Sequence, residues 1–273
     1  MRRLLSRVIR RFCALFPRPV KYVPVQVPVL DTRLLQGRRA LITGGSGGIG
    51  LAIAEAFLKA GAEVVIAGRN ENKLEAAAGQ LGTFGNVATV LLDVTTPDKF
   101  TDEIKNLSSF DILVNNAGYV GGGSFGNTIQ AEYDRVLDTN LRGAYFLSQE
   151  VSKKWIADGV RGNILNVCSA SSLRPGNSPY ILSKWGLRSL TVGMARELIK
   201  HGIVVNGIAP GCTNTEKFSG DGFIENPRNP AGRMVTTEEV ANLAVVMVSS
   251  LARMVVGDIL YVTGGGAITT LDD

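Results

Sequence analysis

The 273-residue chain is 45% hydrophobic with 32 glycines, enough apolar mass for a full core and enough glycine for a loop-rich α/β domain. Three cysteines (Cys13, Cys168, Cys212) make no CxxC pair or even-numbered framework, which fits a reducing compartment such as the cytoplasm, and the single histidine, His201, excludes a histidine-based metal site. The net charge of +5 belongs to the first 30 residues, which hold seven basic residues and no acid; the remainder carries 22 basic and 24 acidic residues and gives no reason to expect nucleic acid as a partner.

Residues 1–30 read as a basic arm ahead of a single domain over 31–273. Leu4, Leu5, Val8, Ile9, Phe12, Leu15 and Phe16 recur at helical spacing with arginines between them. Residues 1–16 are therefore expected to form an amphipathic helix that lies on an anionic membrane surface, or else packs on the domain or a second subunit. The segment is too short and too charged to span a bilayer and lacks the apolar core of a secretory signal, although its acid-free start also resembles an organelle transit peptide. Pro17 to Pro28, with four prolines, reads as an extended connector. Beyond it, apolar runs predict strands at 39–43, 63–67, 87–92, 110–115, 162–168, 203–208 and 258–262. Periodicity predicts helices at 49–60, 71–81, 97–107, 130–157, 179–200 and 237–250, with stops at Ala60-Gly61 and His201-Gly202. Strands alternating with helices predict a doubly wound parallel sheet with helices on both faces and its ligand at the carboxyl ends of the strands.

Three segments carry chemistry. Thr43-Gly44-Gly45-Ser46-Gly47-Gly48-Ile49-Gly50 lies between a predicted strand and helix, where glycines allow a tight turn and the helix N-terminus offers N–H groups to a pyrophosphate. Asp111-Ile-Leu-Val-Asn115-Asn116-Ala117-Gly118 is an apolar strand ending in two amides and a glycine. Tyr180 and Lys184, at i and i+4, share one helix face. A phenol is a poor base at neutral pH, and a cation held beside it favours the phenolate and eases proton transfer. Taken singly, each has a plainer reading: a turn, a strand end with Asn in turn positions, an exposed polar pair.

In this order, together with Asn140 in Asp138-Thr139-Asn140, Ser169 after a strand, and Pro210-Gly211 after another, they resemble the short-chain dehydrogenase/reductase family over about residues 36–268. The resemblance implies a Rossmann-type sheet of about seven strands, a homodimer or homotetramer, and an oxidoreductase that interconverts a ketone and a secondary alcohol. It implies that Gly44, Ser46, Gly48, Ile49, Gly50, Asp93, Val94, Asn116, Ala117, Gly118, Pro210, Gly211 and Thr213 border the dinucleotide, with Tyr180 and Lys184. Asp93 has a plain alternative as a turn former. Tyr180 would exchange a proton with the substrate oxygen, Ser169 would hydrogen-bond that oxygen, and Lys184 would bind the nicotinamide ribose. Asn140 would hold a water in a proton relay to Lys184, or serve only as an amide at a helix kink.

The second strand bears on cofactor choice. An acid that would hold the 2′-OH of NAD belongs at its end, where Ala67-Gly68-Arg69-Asn70 stands instead. Gly68 occupies the acidic position and Arg69 is poised for a 2′-phosphate, so NADP(H) is expected over NAD(H), unless Arg69 merely begins the next helix. Two departures from the family stand out. Its serine commonly lies thirteen residues before the tyrosine, where this chain has Val167; Ser169 lies eleven before, with Ser171 and Ser172 as competitors. Val262-Thr263-Gly264-Gly265 lacks the acid the family often has before the glycines. Asn214 to Arg233 reads as a lid that favours no one substrate class. A cofactor-sensing or scaffolding protein attached to a membrane surface is the alternative, and the intact Asn140, Ser169, Tyr180 and Lys184 weigh against it.

Overall fold

A computed structural model describes residues 33–215, 225–226 and 228–268. The expected arm helix and connector, and positions 216–224 and 227 of the expected lid, lie outside the described residues.

Seven strands form where short β-branched and apolar runs lie between turn residues: β1 (Arg39–Thr43), β2 (Glu63–Gly68), β3 (Val87–Leu91), β4 (Ile112–Asn115), β5 (Asn163–Val167), β6 (Val204–Pro210) and β7 (Ile259–Val262). All six pairings are parallel, in the order β3-β2-β1-β4-β5-β6-β7. The helices are α1 (Gly48–Lys59), α2 (Glu71–Leu81), α3 (Phe100–Lys105), α4 (Gln130–Leu137), α5 (Gly143–Asp158), α6 (Pro179–Leu198) and α7 (Thr237–Val248). This is a Rossmann-type doubly wound sheet. The chain runs outward from β1 to β3, then crosses back to lay β4 on the other side of β1, so the loops after β1 and β4 part and leave a crevice.

Side-chain alternation makes two cores. Ala40, Ile42, Val64, Ile66, Ile112 and Val114 face Ile53 and Phe57 of α1, Leu74 of α2, and Val240 and Ala244 of α7. Leu41, Val65, Leu113, Ile164 and Val205 face Phe100 and Ile104 of α3 and Leu147, Val151 and Trp155 of α5. Burial on both faces is why the central strands read as continuous apolar runs. At the amino ends of the strands Arg38 ties three elements together. Its guanidinium pairs with Asp111, donates to Asn163 Oδ1 at 2.9 Å, and reaches the Val248 carbonyl at 3.4 Å.

Two predicted helices come out differently. Residues 97–107 begin with a 3₁₀ turn, Pro97–Lys99, before α3. The stretch 130–157 is interrupted by a π-helical turn at Asp138–Arg142, which separates α4 from α5. Asn140, inside that turn, is 1% exposed and aims its amide at the loop after β4. Gly143, just after it, lets α5 press on the third strand's loop, because a Cβ there would stand 2.5 Å from the Val94 carbonyl oxygen.

Candidate active site

The glycine loop is shaped by its own backbone and fastened from β4. Gly44 and Gly48 sit at φ of +64° and +54°, where other residues are strained. A Cβ at Gly50 would collide with the Gly44 carbonyl and the Asn116 amide, so the loop can fold onto α1 only with glycine there. Asn116 Nδ2 donates to the carbonyls of Thr43 (2.9 Å) and Gly44 (3.1 Å). The N–H groups of Asn116 and Ala117 both donate to Thr43 Oγ1, each at 3.0 Å. The two amides of the NNAG segment thus differ in kind. Asn115 is buried behind the site, where its Nδ2 donates to Ser148 Oγ and Asn166 Oδ1, both at 2.8 Å.

Asn140 Oδ1 accepts from the Tyr119 N–H at 2.7 Å, and its Nδ2 donates to the Tyr119 carbonyl and Ser183 Oγ, each at 3.0 Å. Its amide joins the β4 loop to α6, with both Nδ2 protons donated and one lone pair of Oδ1 in use. Tyr119 is steadied further: its hydroxyl donates to Glu132 at 2.9 Å, and Arg135 stacks 4.0 Å from the ring centroid.

After β5, Ser169 caps a 3₁₀ turn, its Oγ accepting from the Ser171 N–H at 3.1 Å. Its two competitors separate. Ser172 is fully buried and donates its hydroxyl to the Ser169 carbonyl at 2.7 Å, whereas Ser171 remains beside Ser169 on a cavity wall. Cys168 is 3% exposed, and burial pushes its thiol above the ordinary range, so it stays neutral and is no nucleophile. α6 begins where Ser178 accepts from the Ile181 N–H and Pro179 takes the first turn. One turn on, Lys184 is 5% exposed and donates from Nζ to the Val167 carbonyl at 2.8 Å, with the Tyr180 ring centroid 6.0 Å away.

A cavity of about 660 Å³ opens at the carboxyl ends of the strands. Of the residues singled out in the sequence, Ile49, Asn116, Gly118, Ser169, Tyr180, Lys184, Pro210, Gly211 and Thr213 line it. Asn140 stands directly behind Gly118: a Cβ on that glycine would meet Asn140 Oδ1 at 3.5 Å and Lys184 Nζ at 4.0 Å. Gly44, Ser46, Gly48, Gly50, Arg69, Asp93, Val94 and Ala117 are not among its walls and lie on the loops after β1 to β4 or, for Gly48 and Gly50, in the first turn of α1. Arg69 is exposed there, and a Cβ on Gly68 would be 3.8 Å from Ser46 Oγ, so the end of β2 adjoins the glycine loop. Asp93 spends one carboxylate oxygen on Thr95, accepting from its N–H at 2.9 Å and its hydroxyl at 2.8 Å, the turn-former role that rivalled a cofactor contact. Sequence reasoning missed Tyr119 and Arg174 as cavity residues, and it held Arg228 and Asn229 only as members of the expected lid, Asn214 to Arg233, without singling them out.

The family model for short chain dehydrogenases matches residues 38–221. Gluconate 5-dehydrogenase of Gluconobacter oxydans is 36% identical over 248 residues, 86% of this chain and 96% of that protein. The 3-oxoacyl-[acyl-carrier-protein] reductase of Rickettsia bellii is 33% identical over 237 residues, 85% of this chain and 97% of its own length. Among solved structures, a gluconate 5-dehydrogenase from Burkholderia cenocepacia in complex with NADP and tartrate superposes with a TM-score of 0.81 at 32% identity, covering 89% of this chain and all of that one. By the sheet, the ordered motifs and these matches, the chain belongs to the short-chain dehydrogenase family of oxidoreductases.

Proposed function

We propose that the chain interconverts a ketone and a secondary alcohol by hydride transfer, with NADP(H) as the preferred cofactor. The observation that carries this reading is the convergence of Ser169, Tyr180 and Lys184 with Ile49 and Asn116 on one cavity at the sheet's carboxyl end. The chain has a cradle that fits a dinucleotide. Gly47 caps α1 without a side-chain hydrogen bond, and a Cβ on it would meet nothing within 4 Å, so no side chain competes for the helix's first N–H groups, which would bind the pyrophosphate. Ile49, Asn116, Gly118, Pro210, Gly211 and Thr213 would hold the nicotinamide half, and the loops after β1 to β3, with Arg69, the adenine half. When bound, the cofactor supplies or accepts the hydride.

The remaining work falls to this chain's side chains. Tyr180 donates its hydroxyl proton to the carbonyl oxygen in reduction and takes it back in oxidation. Lys184, held on the Val167 carbonyl, places positive charge where the phenol oxygen becomes negative. Ser169 donates a hydrogen bond to the substrate oxygen. Asn140 keeps the Tyr119 loop and α6 in register behind them. The preference for NADP(H) is supported by the missing acid at Gly68, the exposed Arg69, and the NADP in the Burkholderia relative. Tyr180→Phe removes only the hydroxyl; turnover of a ketone with NADPH should fall by about 10²-fold or more while NADPH binding, read by fluorescence, persists. Near-normal turnover would overturn the mechanism.

A further inference from the structure

Among the described residues, the cavity wall holds three cations and no carboxylate: Lys184 buried in its interior, and Arg174 and Arg228 exposed at its rim. Arg174 stands on the loop that leads from Ser169 to α6. Its N–H donates to the Ser171 carbonyl at 3.2 Å, and its carbonyl accepts from Trp185 Nε1 at 2.6 Å, so the guanidinium rises from a fixed stem. The Arg228 N–H donates to Asn226 Oδ1 at 3.2 Å, and its neighbour Asn229 donates to the Thr263 carbonyl at the end of β7 at 3.0 Å. Neither guanidinium has an acidic partner among the described residues, while Arg233 nearby is committed to Glu239 at 2.6 Å.

Both arginines stand on the β5–β7 half of the site. Neighbouring strands lie about 4.8 Å apart, so three steps of the sheet put about 14 Å between the ends of β2 and β5. Arg174 and Arg69 thus stand on opposite halves of the sheet's carboxyl end. The wall near the two arginines is short and polar, with Ser171, Asn226, Asn229 and Thr213. The apolar side chains on the cavity wall among the described residues are mostly short, including Val120, Val167, Ala170 and Pro210 beside Ile49 and the Tyr119 ring.

We propose that Arg174 and Arg228 are specificity-determining residues that grip the carboxylate of a small hydroxy acid, or of the matching keto acid, while Ser169 and Tyr180 act on its carbinol or carbonyl carbon. The proposal rests on the oxidoreductase reading and deepens it by naming the substrate class. Guanidinium matches a carboxylate with paired N–H donors, a geometry no neutral alcohol can use.

The test is a panel of hydroxy acids of about three to six carbons, each paired with the alcohol bearing CH₂OH in place of the carboxylate, assayed with NADP+ on the full chain. The wild type should favour the acids by about 10- to 100-fold in kcat/KM, the scale of a hydrogen bond to a charged group. Arg174→Gln and Arg228→Gln should each erase most of that preference, chiefly through KM, with unchanged NADPH affinity as the check on folding; Arg174→Lys should keep part of it. A wild-type preference for the neutral partners or for acyl thioesters overturns the proposal and leaves the oxidoreductase reading standing, as does a preference that survives both Gln substitutions. Absence of turnover of every carbonyl and alcohol with either cofactor overturns both.

Discussion

In the proposed reading, Arg69 is the side chain that tells apart two cofactors that differ by one phosphate. It is exposed at the end of β2, beside a glycine that could not repel that phosphate. Arg69→Ala should weaken NADPH binding by about 1.5–3 kcal/mol and leave NADH binding nearly unchanged, measured by titration of each reduced cofactor. Equal losses would make Arg69 structural. Tyr180 and Lys184 were legible as a pair from their i, i+4 spacing, whereas Ser169 was legible only as the serine after a strand, at a spacing unlike the family's; the three share one cavity wall. Asn140 was legible as a position, with a relay and a kink amide as alternatives; its side chain bonds Tyr119 and Ser183. Arg174 carries no local signature, since its place is set by strands distant in sequence, and Arg228 was legible only as part of the expected lid.

The elements themselves show the same division. Strand runs and glycine stops gave all seven strands within two residues of where they lie, because parallel strands buried on both faces are continuous apolar blocks. The π turn at Asp138–Arg142 was not legible, since helical periodicity continues through it and only the buried bonds of Asn140 demand the extra residue. Beside its buried face, α7 has a closed start. Thr236 accepts from the Glu239 N–H at 3.2 Å and Glu239 accepts from the Thr236 N–H at 2.9 Å, a closed capping box that Arg233 completes. That Arg233 bond, first, and the Thr236 N–H hold the Glu239 carboxyl down to about 2, from an ordinary 4.5. A carboxyl lowered on folding stabilises the protein above about pH 4.5, and its contribution fades as pH falls towards 2. Glu239→Gln should therefore flatten the acid limb of a stability–pH curve between those values, with little added effect below it. Thr236→Ala should cost about 1 kcal/mol in denaturant melts.

At the scale of the whole molecule, the outward face of α6 and the turn after it expose Leu182, Trp185, Val192 and Ile199, and α5 adds Tyr145 and Ile156. The expected homodimer or homotetramer would cover such a face with a second copy. Among the described residues no helix is long and apolar enough to cross a membrane. The positive excess and the amphipathic pattern of residues 1–30 make membrane-surface contact a property to test on the arm. Deleting residues 1–30 should leave an active oligomer by light scattering and abolish salt-sensitive sedimentation with anionic vesicles. A full-length protein that ignores vesicles, and whose oligomer dissociates on truncation, would assign the arm to a subunit contact instead.

Asn116 gives the two halves of the site a common fastener. Its amide clamps the glycine loop, and the two residues after it lead to the wall where Asn140 and Lys184 meet Gly118. Loosening that clamp cannot be confined to one side. Asn116→Ala should raise the NADPH dissociation constant and lower kcat together, and in a double-mutant cycle its effect on kcat should not add to that of Asn140→Ala. Independent, additive losses would show the clamp to be local. Non-additive losses would mean that affinity and turnover are geared to one another through Asn116, so that redesigning the phosphate loop for another cofactor would cost catalytic rate unless the clamp were rebuilt with it.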